Sequence, residues 1–113
     1  MLVSTTWHGK IVVLHVDLAT VDASKSVEFK TEVLRVLEED SDGLILDMSK
    51  VEFIDSAGLG AIVGAFKAWG KRGPFMVVGV TSAVSRIFRL TRMDKVFNIH
   101  ATTEDALREF TIA

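Results

Sequence analysis

Five stretches of the chain are short and rich in β-branched or apolar residues, which predicts β-strands over residues 2–7, 10–16, 44–48, 75–80 and 96–99. The third and fourth stretches are almost continuously apolar, as is typical of strands buried on both faces of a sheet. The pair His8-Gly9 separates the first two stretches and predicts a tight turn. The chain therefore begins with a predicted antiparallel hairpin.

Apolar residues at helical spacing predict four helices, one after each strand from the second to the fifth. Either Asp55 or Ser56 is the predicted N-cap of the second helix and Ser82 that of the third. Thr102 is predicted to cap the fourth helix, which runs through residue 110. The side chains predicted to face the core from the first three helices are Val27, Val33, Leu34, Leu37, Leu59, Ile62, Val63, Phe66, Trp69, Val84, Ile87 and Phe88.

The resulting order, β-β-α-β-α-β-α-β-α, predicts an α/β fold. We expect a mixed, mostly parallel sheet of about five strands with four helices packed on it. The 113 residues have the size of one domain, so we expect a single domain over residues 1–113. Hydrophobic residues make up 49% and charged residues 25% of the chain, which favours a packed core over disorder.

Composition narrows the classes of function. The net charge of -2 argues against a nucleic-acid partner, because proteins that neutralise several phosphates are usually basic. The chain has no cysteine, which excludes disulfides and fits a cytoplasmic protein. The N-terminus lacks the pattern of a signal peptide, and the apolar run 11–14 is far shorter than the roughly 20 residues that span a bilayer. We therefore expect no membrane insertion.

Nothing in the sequence has the spacing of a catalytic or cofactor motif. The three histidines lie far apart, without the spacing of metal ligands. Gly58-Leu59-Gly60 lacks the third glycine of a dinucleotide fingerprint and the lysine of a P-loop. We therefore expect a protein that is not an enzyme and that holds neither a cofactor nor a metal.

One face of the second predicted helix does not have the composition of a core face, since it carries Ser56, Gly60, Gly64, Lys67 and Lys71. A glycine inside a helix costs about 0.8–1 kcal/mol relative to alanine. Two of them indicate that something approaches the helix closely. Either the domain packs tightly against this face or a partner protein docks there.

Ser56 has two interpretations, because it lies where the chain turns into this helix. It is either a plain helix cap or a phosphate acceptor. A phosphate at this place would meet the unpaired N–H groups of the helix start, each such contact being worth about 0.3–1 kcal/mol. It would also add nearly two negative charges beside Asp55, so the surface would change while the fold stayed intact.

Several motifs together resemble a known family. They are the strand 44–47, the segment Val51-Glu52-Phe53-Ile54-Asp55-Ser56-Ala57-Gly58-Leu59-Gly60, and the blocks 85–90, 93–97 and 106–107. The chain is similar over residues 10–110 to the bacterial anti-sigma factor antagonists of the STAS superfamily. Asp-Ser-x-Gly-Leu-Gly between a strand and a helix is the most specific part of this resemblance.

The resemblance implies a role for each residue of the motif. Ser56 would be phosphorylated by a GHKL-type serine kinase that doubles as the anti-sigma factor, and a PPM-type phosphatase would reset it. The unphosphorylated protein would bind the kinase, and the phosphorylated protein would release it. The residues predicted to bind a partner are Asp22, Asp55, Ser56, Ala57, Gly58, Gly60 and Gly64. Of these, Gly60 and Gly64 follow from the composition of the helix face described above.

One loop departs from the family pattern. Residues 19–22 read Ala-Thr-Val-Asp where the family usually has Gly-Glu-Leu/Ile-Asp, so only Asp22 matches. Because this loop lies near the phosphorylation site in the family, the regulated output could differ, for example in biofilm formation or secretion. Two alternatives stay open: a constitutive STAS subunit that braces the ATPase of a lipid transporter, and a receiver domain phosphorylated on Asp47 or Asp55.

Overall fold

The computed structural model describes residues 2–112, with side chains described from residue 2 to residue 110. No helix in this part of the chain is long and apolar enough to cross a membrane. A 3₁₀ turn, Met93–Lys95, follows the third helix. The strands and helices in chain order are β1 (Val3–His8), β2 (Ile11–Val16), β3 (Thr20–Val21), α1 (Ser26–Leu37), β4 (Gly43–Asp47), β5 (Phe53–Ile54), α2 (Ser56–Trp69), β6 (Phe75–Val78), α3 (Ser82–Leu90), β7 (Asn98–His100) and α4 (Thr103–Ile112).

The main sheet has five strands in the order β1-β2-β4-β6-β7. Strand β1 is antiparallel to β2, and every other neighbouring pair is parallel. This confirms the predicted mixed sheet with its N-terminal hairpin. The predicted turn was wrong by one residue: His8 pairs with Ile11, so the turn is Gly9-Lys10. Gly9 has a φ of 60°, and a two-residue hairpin turn favours glycine where φ is positive.

Both faces of the central strands are buried, as their continuous apolar sequences predict. Helices α1, α2 and α3 cover one face and α4 covers the other, because alternate residues of a strand point to opposite sides. On the first face the strand residues Leu14, Leu46 and Val77 pack in one core cluster with Trp69 and Phe88. The second, smaller cluster contains Val13, Ile45, Met76, Val78 and Ala106.

The inward face of α1 differs from the predicted one. Val33 and Leu37 are buried as expected, but Val27 is 78% exposed and Leu34 is at the surface. Phe29 takes the missing core position, because residues 29, 33 and 37 are four apart and lie along one side of the helix. Val27, two residues before Phe29, consequently points to solvent.

The helix caps are partly as predicted. Thr102 caps α4 by accepting a hydrogen bond from the Asp105 N–H at 3.1 Å. The cap of α3 is Thr81 and not Ser82, which is the first helical residue. Thr81 Oγ1 accepts from the Val84 N–H and donates to the Val51 carbonyl at 3.0 Å. Because Thr81 pairs with both of these main-chain groups, the cap of α3 lies one residue earlier than predicted.

A short parallel pair, β3 and β5, lies outside the main sheet and was not predicted. Thr20 pairs with Phe53 and Val21 pairs with Ile54. Strands of two residues have no hydrophobic period that a sequence pattern can show. The pair places the loop before α1 directly beside the start of α2.

A polar network joins the first three strands of the sheet. His15 Nδ1 lies 2.8 Å from an oxygen of Asp47, and its Nε2 lies 2.9 Å from the Thr6 hydroxyl. Burial acts to raise the pKa of Asp47, but hydrogen bonds from Ser49 and His15 favour the charged form. The net result is a pKa below the ordinary value of an aspartate.

The lowered pKa of Asp47 makes the stability of the fold depend on pH. A carboxyl group whose pKa is lowered by folding stabilises the protein above its unfolded pKa and loses that effect as the pH falls through the folded pKa. We expect Asp47→Asn to lower the free energy of unfolding by about 1–2 kcal/mol at pH 7. This difference from wild type should shrink as the pH falls from 5 to 3, as measured by urea unfolding. The exposed Asp42→Asn variant should follow wild type, and parallel pH curves for Asp47→Asn and wild type would contradict the assignment.

Candidate functional site

The carboxylate of Asp55 determines how α2 begins. Asp55 is the N-cap, and its Oδ1 accepts a hydrogen bond from the Gly58 N–H at 2.8 Å. Its second oxygen accepts from the Ala23 N–H at 3.0 Å, so the same side chain also holds the loop before α1. Of the two predicted caps, Asp55 is therefore the one used.

Ser56 is the first residue of α2 and is exposed. Within the part of the chain that the structure describes, its hydroxyl forms no hydrogen bond to another protein group. Because Asp55 already caps the helix, the fold does not need this hydroxyl. Ser56 thus presents a free nucleophilic oxygen to solvent at the N-terminus of a helix.

The loop that departs from the family pattern lies against this helix start. The Val21 carbonyl accepts a hydrogen bond from the Asp55 N–H at 3.3 Å, and the Ala19 carbonyl accepts from the Glu52 N–H at 2.7 Å. Asp22 accepts from the hydroxyl of Ser24 at 2.5 Å, and this bond is the main cause of the lowered pKa of Asp22. The structure therefore brings Asp22 and the start of α2 together.

The three glycines of α2 have different surroundings. Gly58 is buried, and a Cβ added there would lie 2.0 Å from the Val21 carbonyl oxygen. Gly60 is exposed, and a Cβ there would meet nothing within 4 Å. A Cβ at Gly64 would meet the side chain of Lys30 at 3.0 Å. Internal packing therefore explains Gly58, while Gly60 lies open on the surface.

A groove of about 570 Å³ runs along the exposed side of α2 from Ser56. Its lining residues are Lys30, Ser56, Leu59, Gly60, Val63, Gly64, Lys67 and Met93. A smaller depression between α1 and α2 is lined by Ser26, Val27, Lys30, Ala57, Gly60 and Ala61. Together the two hollows are lined by apolar, glycine, serine and lysine residues.

The structure groups most of the predicted site residues on this surface. Ser56, Ala57, Gly60 and Gly64 line its two hollows, whereas Gly58 lies beneath it. Sequence reasoning missed Lys30 and Met93, which reach the groove from other elements. No pattern in the sequence indicates this, because which residues of two helices meet depends on how the helices pack.

The acidic side chains do not converge as a receiver site requires. Asp47 bonds to His15 and Ser49, whereas Asp55 bonds to main-chain N–H groups at the start of α2. Among residues 2–112, no group of three or more His, Cys, Asp or Glu side chains is placed to hold a metal ion. A Mg²⁺-dependent aspartate site has no ligand set in this arrangement.

A family model for the STAS domain matches residues 3–106. The chain belongs to the STAS domain family. It is 28% identical over 100 residues to the anti-sigma-F factor antagonist RsfB of Mycobacterium tuberculosis, covering 88% of this chain and 81% of that protein. It is 32% identical over 91 residues to the anti-sigma-B factor antagonist of Listeria monocytogenes, covering 75% of this chain and 78% of the relative.

Solved structures show the same fold. An anti-sigma factor antagonist from Mycobacterium paratuberculosis superimposes with a TM-score of 0.86 at 28% identity, covering 95% of this chain and 91% of that one. The anti-sigma factor antagonist SpoIIAA in its unphosphorylated form has a TM-score of 0.79 at 15% identity, covering 98% of this chain and 97% of that one, which is a likeness of fold alone. The chain is thus a STAS domain protein whose relatives are anti-sigma factor antagonists.

The surroundings of the glycines predict opposite effects of one substitution. We expect Gly58→Ala to destabilise the protein by about 1–3 kcal/mol or more, because the new methyl group meets a fixed main-chain carbonyl. Gly60→Ala should stabilise it by about 0.4–1 kcal/mol, since the methyl group enters open space within a helix. Thermal and urea unfolding measure both effects. Equal effects of the two substitutions would contradict this description.

The assignment of the cap predicts a second contrast. Asp55→Ala should lower the free energy of unfolding by about 1–2 kcal/mol, because the hydrogen bond to Gly58 and the link to Ala23 are both lost. Ser56→Ala should leave the free energy of unfolding within about 0.5 kcal/mol of wild type. Urea unfolding of the two variants checks this, and a larger loss for Ser56→Ala would mean that the hydroxyl has a structural role.

Proposed function

We propose that this protein is a phosphorylation-controlled partner-switching regulator of the anti-sigma factor antagonist type. When Ser56 is unphosphorylated, the protein binds a cognate serine kinase that acts as the anti-sigma factor. When Ser56 is phosphorylated, the complex dissociates. The observation that carries this proposal is the exposed Ser56 hydroxyl, which the fold does not use and which borders an open groove.

The partners follow from the same proposal. The kinase is of the GHKL type, a PPM-type phosphatase removes the phosphate, and the exchange takes place in the cytoplasm. Relatives named anti-sigma-F and anti-sigma-B factor antagonists support the class of partner. The protein contributes a binding surface and an acceptor serine, and the catalysis belongs to its partners.

The local chemistry supports a switch that acts on the partner and leaves the fold intact. The first N–H groups of a helix have no partner within the helix, so a phosphate on Ser56 finds hydrogen-bond donors nearby. The Gly58 N–H is already taken by Asp55. Adding nearly two negative charges to the edge of the groove changes the surface that the partner meets.

Phosphorylation of Ser56 is tested with the cognate kinase and Mg-ATP, followed by mapping of the phosphate by mass spectrometry. We expect incorporation into wild type and none into Ser56→Ala. Ser82 provides a matched control, because it is also an exposed first residue of a helix behind a capping residue. Ser82→Ala should be labelled like wild type. Equal labelling of Ser56→Ala and wild type would remove Ser56 as the acceptor.

The effect on binding is tested with acidic variants and the same kinase. Ser56→Asp should bind the kinase at least about tenfold more weakly than wild type, because like charges placed across an interface cost several kcal/mol. Ser82→Asp should bind as wild type does. Co-purification with a transporter ATPase that Ser56→Asp leaves unchanged would instead support the constitutive STAS subunit.

A further inference from the structure

Lys30 is a lysine of α1 whose side chain lies on the exposed face of α2. Its Cε and Nζ are each 3.0 Å from the point where a Cβ of Gly64 would be. Lys30 is also the only residue that lines both the groove and the smaller depression besides Gly60, among the residues that the structure describes. Lys30 therefore borders both hollows, and the end of its side chain lies at Gly64.

Lys30 has no acidic partner in the described part of the chain. The ion pairs there involve other cations, namely Lys10, His15, Lys50, His100 and Arg108. An unpaired ammonium group on a flexible four-carbon stem changes position at little cost. The charge of Lys30 is thus available to a new anion on this surface.

Ser56 and the ammonium group of Lys30 lie at opposite ends of one row of residues on α2. Ser56, Gly60 and Gly64 are four residues apart, so they lie in one row that spans about 12 Å. Lys30 lies beside the middle of the row, because it shares the smaller depression with Ala57 and Ala61. A Cβ at Gly60 would meet nothing within 4 Å, so this position leaves open space between the two ends of the row.

We infer that Lys30 binds a phosphate on Ser56. The ammonium group moves away from Gly64 and forms an ion pair with the phosphate, and the lysine stem then lies across Gly60. This inference rests on the proposed modification of Ser56 and names what the phosphate contacts. The contact joins a strongly charged acceptor to a point-charge donor, which is a common arrangement at phosphate sites. Lys67 lines the same groove, but it lies 11 residues and about 16 Å along the helix from Ser56.

The movement of Lys30 would change the shape of the surface as well as its charge. Once Lys30 pairs with the phosphate, the surface of Gly64 is uncovered, and one edge of the groove loses its positive charge. A partner that fits the unphosphorylated groove then meets a different outline as well as a new negative group. Phosphorylation thereby acts on both ends of the row formed by Ser56, Gly60 and Gly64.

The test uses the full chain with phosphoserine installed at position 56 during translation, so no kinase is needed. A ³¹P NMR titration measures the second pKa of the phosphate, which is ordinarily about 6. A nearby ammonium group favours the dianion, so this pKa should be about half a unit lower in wild type than in Lys30→Gln. Lys67→Gln is the matched control, and its phosphate should titrate as that of wild type does. Asp22 and Asp55 are left unmutated in all of these proteins.

A second readout follows the movement of the lysine. We expect phosphorylation of Ser56 to shift the amide resonance of Gly64 in wild type. In Lys30→Gln the same resonance should not shift. Equal phosphate pKa values in wild type and Lys30→Gln, or a Gly64 shift that survives Lys30→Gln, would overturn the inference. Neither result touches the proposed function, which fails separately if the kinase does not label Ser56.

Discussion

The two hydrogen bonds accepted by Asp55 are the constraint on which the rest of the site depends. One carboxylate oxygen caps α2 through Gly58, and the other holds Ala23 in front of α1. A single side chain thus satisfies main-chain donors of two elements that are more than 30 residues apart. Because Asp55 caps the helix, the hydroxyl of Ser56 is not needed for the cap and is exposed to solvent. An exposed, unused hydroxyl at a helix N-terminus is a direct result of that arrangement.

The loop held by Asp55 also fixes how the two helices meet. The Val21 carbonyl lies so close to Gly58 that a larger residue would not fit there. Helix α1 starts shortly after this contact, so its first turns lie beside those of α2, with the end of the Lys30 side chain at Gly64. The groove is consequently a product of two helices, although the sequence motif belongs to one of them. Packing in the interior thus places a charged side chain at the edge of the exposed surface.

Much of the fold could be predicted from the sequence, because strands buried on both faces have short, continuous apolar runs with turn residues before and after them. The start of α4 could also be predicted, since Thr102 has the chemistry of a cap and helical spacing follows it. The β3–β5 pair could not, because two residues show no period. The inward face of α1 could be predicted only in part: the spacing of Phe29, Val33 and Leu37 is visible in the sequence, but packing decides between Phe29 and Val27. For the same reason the motif predicted Ser56 and Asp55 but gave no indication of Lys30.

The three glycines of α2 differ in whether packing inside the domain requires a glycine at that position. Gly58 is required by the Val21 carbonyl, and Gly64 gives room to the stem of Lys30. A Cβ at Gly60 would meet nothing within 4 Å, yet the glycine costs the helix about 0.8–1 kcal/mol relative to alanine. Crowding among the described residues does not account for a glycine here, which supports a role for this position at the exposed surface. The proposed docking partner and the proposed movement of Lys30 would both use this open position, and it lies one helical turn from Ser56.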